Sequence, residues 1–204
     1  IMDAGSGLLK IKRKFEKLDF GSVSAEKSKT FFKKHYPVKE YKDFILARVK
    51  INSAKIKLAV DFSNGVAGSE FILALEKIKS DFATLNESPN GNFPGHGPDP
   101  LESSNQKPIQ ILIKSGRFDL GAVVDGDGDR ILFFDECGGV VDSGHLFSFL
   151  IDFYSDFKKD KTVVKNSSMP RIVDETAVGR GIRIVTSKVG RTNVQKAMKK
   201  EKAE

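Results

Sequence analysis

Only one cysteine, Cys137, occurs in 204 residues, so no internal disulfide can form and a reducing, cytoplasmic setting is expected. No apolar run approaches the roughly 20 residues of a membrane-crossing helix, and no membrane partner is expected. The opening residues Ile1-Met2-Asp3-Ala4-Gly5 lack the basic and apolar regions of a secretory signal. With Met in second place, the expectation is a fragment of a longer protein. Neither charge sign dominates: 34 Lys and Arg stand against 27 Asp and Glu, a net charge of +7. Hydrophobic residues make up 39% and charged residues 30%, the balance of a globular chain long enough for one or two domains.

The basic excess gathers in Lys10–Lys17, Lys27–Lys34 and Lys196–Lys202. Nucleic-acid binding would want such runs interleaved with aromatics on one surface. Solvated helix faces account for them better, and no nucleic-acid partner is expected. A positive potential that steers a small anionic substrate is a further use of the same charge.

Residues 1–37 read as basic and irregular, with Ser22 or Ser24 able to cap a short helix through Lys34. Val38, Tyr41, Ile45 and Val49 suit an amphipathic helix over Val38–Lys50. Strands are expected at Ile56–Asp61, Phe82–Leu85, Asp119–Val124, Ile131–Phe134, Thr162–Val164 and Ile182–Thr186. Helices are expected at Ser69–Lys79, Asp99–Lys114, Ser143–Phe157, Ile172–Val178 and Thr192–Lys200. Ser63-Asn64-Gly65 and Gly138-Gly139 are turn signals. A long loop rich in Pro and Gly runs from Ser88 to Pro100, and long loops are often functional. The fold class that follows is α/β: mixed, mostly parallel sheets with helices on their faces, in two related units. The second unit is expected to begin near Val140, giving 1–37 as the trailing part of a preceding domain or a linker, a domain of 38–139 and a partial one of 140–204.

Asp125-Gly126-Asp127-Gly128-Asp129-Arg130 carries the clearest chemistry. Three carboxylates at alternating positions converge on one hard cation when the chain curves, and glycine permits that curvature. Oxygen-only ligation suits Mg²⁺ or Ca²⁺. The apolar strand before the loop places it at a strand's carboxyl end, where open α/β sheets bind ligands. Asp125, Asp127, Asp129 and Glu136 also fall at EF-hand ligand places, but Arg130 stands where the EF-hand turn wants Gly and the flanks read as strands. A plain hairpin turn is the third reading, although three alternating carboxylates without a cation repel one another. Arg130 can clamp a phosphate through two parallel N–H groups, or simply pair with a loop carboxylate.

Taken with its surroundings, this loop resembles that of the α-D-phosphohexomutase family, the phosphomannomutase/phosphoglucomutase enzymes. Val60-Asp61-Phe62-Ser63-Asn64-Gly65-Val66-Ala67-Gly68 is similar to the strand and turn that open the family's second domain. Asn92-Phe93-Pro94-Gly95-His96-Gly97-Pro98-Asp99-Pro100 resembles its Phe-Pro-x-His-x-Pro-x-Pro loop. Thr186-Ser187-Lys188-Val189-Gly190 is similar to a turn near the active site of the third domain. The match runs from about residue 38 to the end.

The resemblance implies a four-domain enzyme that interconverts hexose 1-phosphate and 6-phosphate through a phosphoserine. Asp125, Asp127 and Asp129 would hold Mg²⁺, and Arg130 would be the catalytic arginine facing the phosphoserine. Lys165, Lys188 and Arg191 would bind the phosphosugar substrate, with the remaining domains of the same chain as partners. His96 is read as a loop-stabilising hydrogen-bond partner. There are departures. No Ser-His-Asn run, the family's nucleophile loop, occurs in these residues, so this chain alone is expected to be inactive. Arg191 stands where the family often has a His, and an arginine cannot trade protons near neutral pH. The sugar-specificity run, of Gly-Glu-x-Ser-Gly-His type, would follow beyond Glu204. The rival reading is a non-catalytic divalent-cation-binding module.

Overall fold

The computed structural model describes residues 7–18, 40, 41, 43, 44, 47, 55–78, 81–155 and 162–203. They divide into two compact units, one spanning His35–Asp142 and the other Ser143–Glu204 together with Ile1–Lys34. The helix expected to end at Lys34 lies outside the described residues. Of the helix expected over Val38–Lys50, the described positions Glu40, Tyr41, Asp43, Phe44 and Ala47 are helical.

The first unit is built on four strands: β1 (Lys57–Asp61), β2 (Asp81–Leu85), β3 (Leu120–Val124) and β4 (Ile131–Phe134). Their order is β2-β1-β3-β4. β1 pairs in parallel with β2 and β3, and β4 runs antiparallel to β3. Between the parallel strands lie α2 (Gly68–Ile78) and α3 (Ser103–Gly116), numbered after the N-terminal helix α1 (Leu8–Phe15).

Alternation along the strands sends neighbouring side chains to opposite faces. Ala59, Val123 and Phe134 pack with Ile109 and Ile113 of α3. Val60, Ala122 and Val124 pack with Phe62 and with Leu75 of α2. The sheet is therefore covered by a helix on each face. Burying a large apolar side chain fully contributes about 1.5–3 kcal/mol, and these two clusters anchor the unit. The chain leaves β1 toward β2 on one side, then crosses back to β3 on the other. The carboxyl ends of β1 and β3 thus form the topological switch point, where ligands bind in sheets of this kind.

The other unit carries α4 (Ser143–Ser155), β5 (Thr162–Asn166), α5 (Ile172–Gly179), β6 (Arg183–Ser187) and α6 (Arg191–Glu201). β5 and β6 form a parallel pair, and Ile151, Val173, Ala177 and Ile182 make the core beside it. The expected α/β class, with mostly parallel strands and helices on the faces, is what the structure has.

Three local expectations need correcting. Residues read as irregular contain α1, whose side chains are all exposed. Leu8, Ile11 and Phe15 do follow helical spacing, but the density of lysine masks the period. α3 starts at Ser103, not at Asp99, because Asp99 and Pro100 belong to the turn before it. Pro108 lies inside α3 and cannot donate to Ser104, whose exposed position leaves its carbonyl to water. Lastly, β5 continues to Asn166, so Lys165 lies within the strand and not after it, paired in register with Thr186.

Candidate metal centre

The loop 125–130 joins β3 to β4 and is closed by its own backbone. Asp125 N–H donates to the Arg130 carbonyl at 3.1 Å, and Gly128 N–H to the Asp125 carbonyl at 3.1 Å. Gly128 has φ +75, the left-handed conformation that glycine adopts at no steric cost. Gly126 has a different reason for being glycine. A Cβ there would lie 3.0 Å from Pro98 Cβ and 3.4 Å from the Phe93 ring. The space is taken by the Pro/Gly loop, so only one of the two glycines serves curvature through a positive φ.

Asp125 is fully buried, whereas Asp127 and Asp129 are exposed. Its Oδ1 accepts the amides of Asp129 (2.9 Å) and Arg130 (3.1 Å), and its Oδ2 accepts Arg130 Nε at 2.7 Å. Burial pushes the Asp125 carboxyl up. The backbone hydrogen bond, guanidinium hydrogen bond and positive charge of Arg130 outweigh it, holding the carboxyl below its ordinary value. Arg130 is raised in turn, first by its hydrogen bond to Asp125 and then, against some desolvation, by the charges of Asp125, Asp99 and Asp129.

One carboxylate oxygen from each of Asp125, Asp127 and Asp129 lies within 4.8 Å of the others. Opposite oxygens around Mg²⁺ stand about 4.2 Å apart, and around Ca²⁺ about 4.6–5.2 Å. An ionised carboxylate has about four lone-pair positions. Asp125 fills three of them with the bonds above and keeps one for a cation. The donor set therefore fits a hard, oxygen-liganded ion. The EF-hand reading fails, because the loop is flanked by antiparallel strands and not by helices.

Two further loops meet this one at the carboxyl ends of β1 and β2. After β1 comes a tight turn in which Ser63 and Asn64 are both left-handed (φ 50 and 52) and Gly65 N–H donates to Phe62 O at 2.7 Å. Ser63 Oγ donates to Val124 O at 2.8 Å, and Val66 N–H donates to Gly126 O at 3.1 Å. A Cβ on Gly65 would stand 2.7 Å from Gly126 O, so only glycine lets these backbones approach. After β2 runs the long loop, pinned by Asn64: its Oδ1 accepts Gly95 N–H at 3.2 Å and its Nδ2 donates to Ser88 O at 3.0 Å.

Beneath that loop lies a buried cluster around Asp61. Its Oδ1 accepts Ser63 N–H (2.9 Å) and Asn86 Nδ2 (3.0 Å), and its Oδ2 meets His96 Nε2 at 2.9 Å. The other ring nitrogen, Nδ1, lies 2.7 Å from the Gly97 carbonyl. Both ring nitrogens are therefore engaged by the protein. His96 thus fastens the loop down onto β1.

In the second unit, Lys165 is 8% exposed and its Nζ donates to Asp174 Oδ2 of α5 at 2.5 Å. Lys188 and Arg191 are exposed, in and just after the turn that follows β6. Asn193 Nδ2 donates to Val189 O in that turn at 2.8 Å. Each of the three basic residues lies at or just beyond the carboxyl end of β5 or β6. Sequence reasoning missed Asp61, Asn86, Asp99 and Asp174 as site partners. Asp61 had one available signal, a carboxylate closing an apolar strand; the others had none.

A mostly parallel α/β sheet with an acidic loop at its switch point places that loop where open α/β proteins bind their ligands. Residues 39–139 match the family model for phosphoglucomutase/phosphomannomutase, alpha/beta/alpha domain II. A phosphomannomutase of Methanocaldococcus jannaschii is 33% identical over 167 residues, covering 82% of this chain and 37% of that protein. A phosphomannomutase/phosphoglucomutase of Pseudomonas syringae is 31% identical over 164 residues, 79% of this chain and 33% of that one. The crystal structure of a phosphoglucomutase/phosphomannomutase family protein from Burkholderia thailandensis shares the fold, with a TM-score of 0.79 at 22% identity over 84% of this chain and 37% of that one. The chain belongs to the phosphoglucomutase/phosphomannomutase family. It spans only 37% and 33% of the lengths of the two curated relatives just named.

Proposed function

We propose that these residues are the metal-binding part of a phosphohexomutase, an isomerase that interconverts hexose 1-phosphate and 6-phosphate by way of a phosphoserine. Residues 38–139 would be its second domain and 140–204 part of its third. The observation that carries this is the juxtaposition of a three-carboxylate loop with Arg130, whose Nε is held 2.7 Å from the buried Asp125. A divalent cation held by Asp125, Asp127 and Asp129, taken as Mg²⁺ from the family resemblance, would neutralise charge developing on a transferring phosphoryl group. Arg130 would orient that group through the N–H donors that Asp125 does not occupy.

Lys165, Lys188 and Arg191 are the proposed contacts to the phosphosugar. Lys165 would reach substrate as an ammonium already oriented by Asp174. Arg191 would bind phosphate, since it cannot exchange protons near neutral pH. The phosphoserine would come from another part of the parent protein, so these 204 residues alone would not turn over. The exposed, free Cys137 suits a reducing compartment such as the cytoplasm.

The test has two arms. Adding Mg²⁺ to the chain should shift the amide signals of residues 125–130, and Asp127→Asn should weaken that response. The complete parent protein, assayed with hexose 1-phosphates, should form the 6-phosphate. Asp127→Asn within it should lower kcat by one or more orders of magnitude, the scale of removing one preorganised electrostatic interaction from a transition state. A parent protein with no mutase activity on glucose, mannose or glucosamine phosphates would sink the proposal.

A further inference from the structure

Arg130 is held at two points by carboxylates from different loops. Its Nε donates to Asp125 Oδ2 at 2.7 Å, and its Nη1 to Asp99 Oδ1 at 3.3 Å. Asp99 belongs to the Pro/Gly loop, 31 positions before the arginine. A guanidinium offers five N–H donors in one plane. These two bonds use one on Nε and one on Nη1, leaving one on Nη1 and both on Nη2. The arginine side chain is 53% exposed.

One anchor fixes a point, whereas two anchors fix the plane. Asp125 alone would let the guanidinium swing about the bonds that precede Nε. The second carboxylate removes that freedom, and it comes from a loop that is itself immobilised. His96 ties this loop to the buried Asp61 at 2.9 Å, Gly95 N–H bonds to Asn64 Oδ1 at 3.2 Å, and Pro98 and Phe93 pack over Gly126. Asp99 also acts locally, since its Oδ1 accepts Leu101 N–H at 3.1 Å and so shapes the turn into α3.

We propose that Asp99 is a positioning residue for Arg130, orienting the guanidinium so that its free Nη1 and Nη2 donors meet a phosphate group as a bidentate pair. That the ligand is a phosphate rests on the phosphohexomutase proposal; that Asp99 orders Arg130 does not. The charge of Asp99 also acts in the same sense as that of Asp125 in stabilising the charged arginine.

One oxygen, Asp99 Oδ1, accepts both Leu101 N–H and Arg130 Nη1, so Asp99→Asn removes the negative charge but keeps an acceptor for both. Asp99→Ser separates the two roles, because its shorter side chain keeps a turn-capping oxygen for Leu101 N–H and draws it away from Arg130. In the ¹⁵N-labelled chain, wild-type Arg130 should show separate Nη1 and Nη2 signals, the mark of hindered rotation. In Asp99→Ser they should merge, with the Leu101 amide signal in place and also that of the Asn105 side chain, whose Nδ2 donates to the Asp99 carbonyl at 2.9 Å. Inorganic phosphate, titrated at low ionic strength with Mg²⁺ present, should bind about two- to fivefold more weakly to the variant, the range of a solvent-exposed ion pair. Separate Nη signals that persist unchanged in both variants overturn the positioning role. A wild-type Arg130 that does not respond to phosphate overturns the phosphate-facing part. Failure of the chain to bind Mg²⁺ would count instead against the mutase proposal, and the Nη comparison, which needs no metal, would still decide the role of Asp99.

Discussion

The two charged loops of this chain are built in opposite ways. Around the acidic loop 125–130, the first carboxylate is buried, three donors hold it, and neighbouring loops press on its glycines. Around the basic turn 186–190, the residues from Ser187 to Gly190 are half-buried or exposed, and apart from one backbone bond, Ser167 N–H to Ser187 O at 2.9 Å, the hydrogen bonds that tie the turn are short-range, to Asn193 and within itself. The difference follows from charge. Three carboxylates brought together repel, and a structure that holds them without a cation must supply positive partners and backbone donors. A turn carrying one lysine faces no such repulsion and can be left in water. Lys165 shows the intermediate case, a buried ammonium made tolerable by Asp174.

If the acidic loop depends on its buried supports, breaking them should cost far more than editing the basic turn. The largest effect is expected at Asp61. Asp61→Ala leaves the buried His96 ring and the half-buried Asn86 amide without their partner and should destabilise the His35–Asp142 unit by about 3–5 kcal/mol, read from urea unfolding. Gly65→Ala comes next. Its methyl group would press on the Gly126 carbonyl and should cost about 1–3 kcal/mol, with weakened Mg²⁺ binding as the loop is pushed aside. An alanine variant that binds Mg²⁺ like the wild type would show that the two backbones can separate freely.

Acid should have a smaller and more local effect. The folded Asp125 carboxyl lies below its ordinary value, so its contribution to stability is fully present above about pH 4 and is lost as pH falls through the lowered folded value. The amides of Asp129 and Arg130, which donate to Asp125, should therefore keep their protection from hydrogen exchange at pH 5 and lose it at strongly acid pH. Loss already near neutral pH would contradict the ion pair with Arg130. Smallest of all, Lys188→Ala should change the unfolding free energy by no more than about 0.5 kcal/mol, as surface substitutions do. A larger change would mean that the basic turn is as constrained as the acidic one.

Much of the fold was legible in the residues. Strand and helix positions follow from period and turn signals, since an apolar stretch such as Leu120–Val124 between Asp119 and Asp125 has few other uses. The metal loop was legible because its three carboxylates are close in sequence, so spacing alone brings them together. Helix α1 was not, because its apolar residues are exposed and its period is diluted by lysine. The start of α3 was misplaced because Pro100 suggested a helix start where Asp99 shapes a turn. Lys165 reads as lying beyond β5 because a charged residue marks the end of an apolar strand; Asp174, nine positions on, is what lets the strand bury it.

The α/β class, the carboxylate loop and the family resemblance all follow from patterns of residues near one another along the chain. Which carboxylate is buried, the pairing of His96 with Asp61 and the sharing of Arg130 between Asp125 and Asp99 appear only once the chain is folded. These pairings span 35 and 31 positions for His96–Asp61 and Arg130–Asp99. No local propensity encodes such distances. They exist because β1, β2 and β3 run parallel and deliver their carboxyl-end loops to one edge of one sheet.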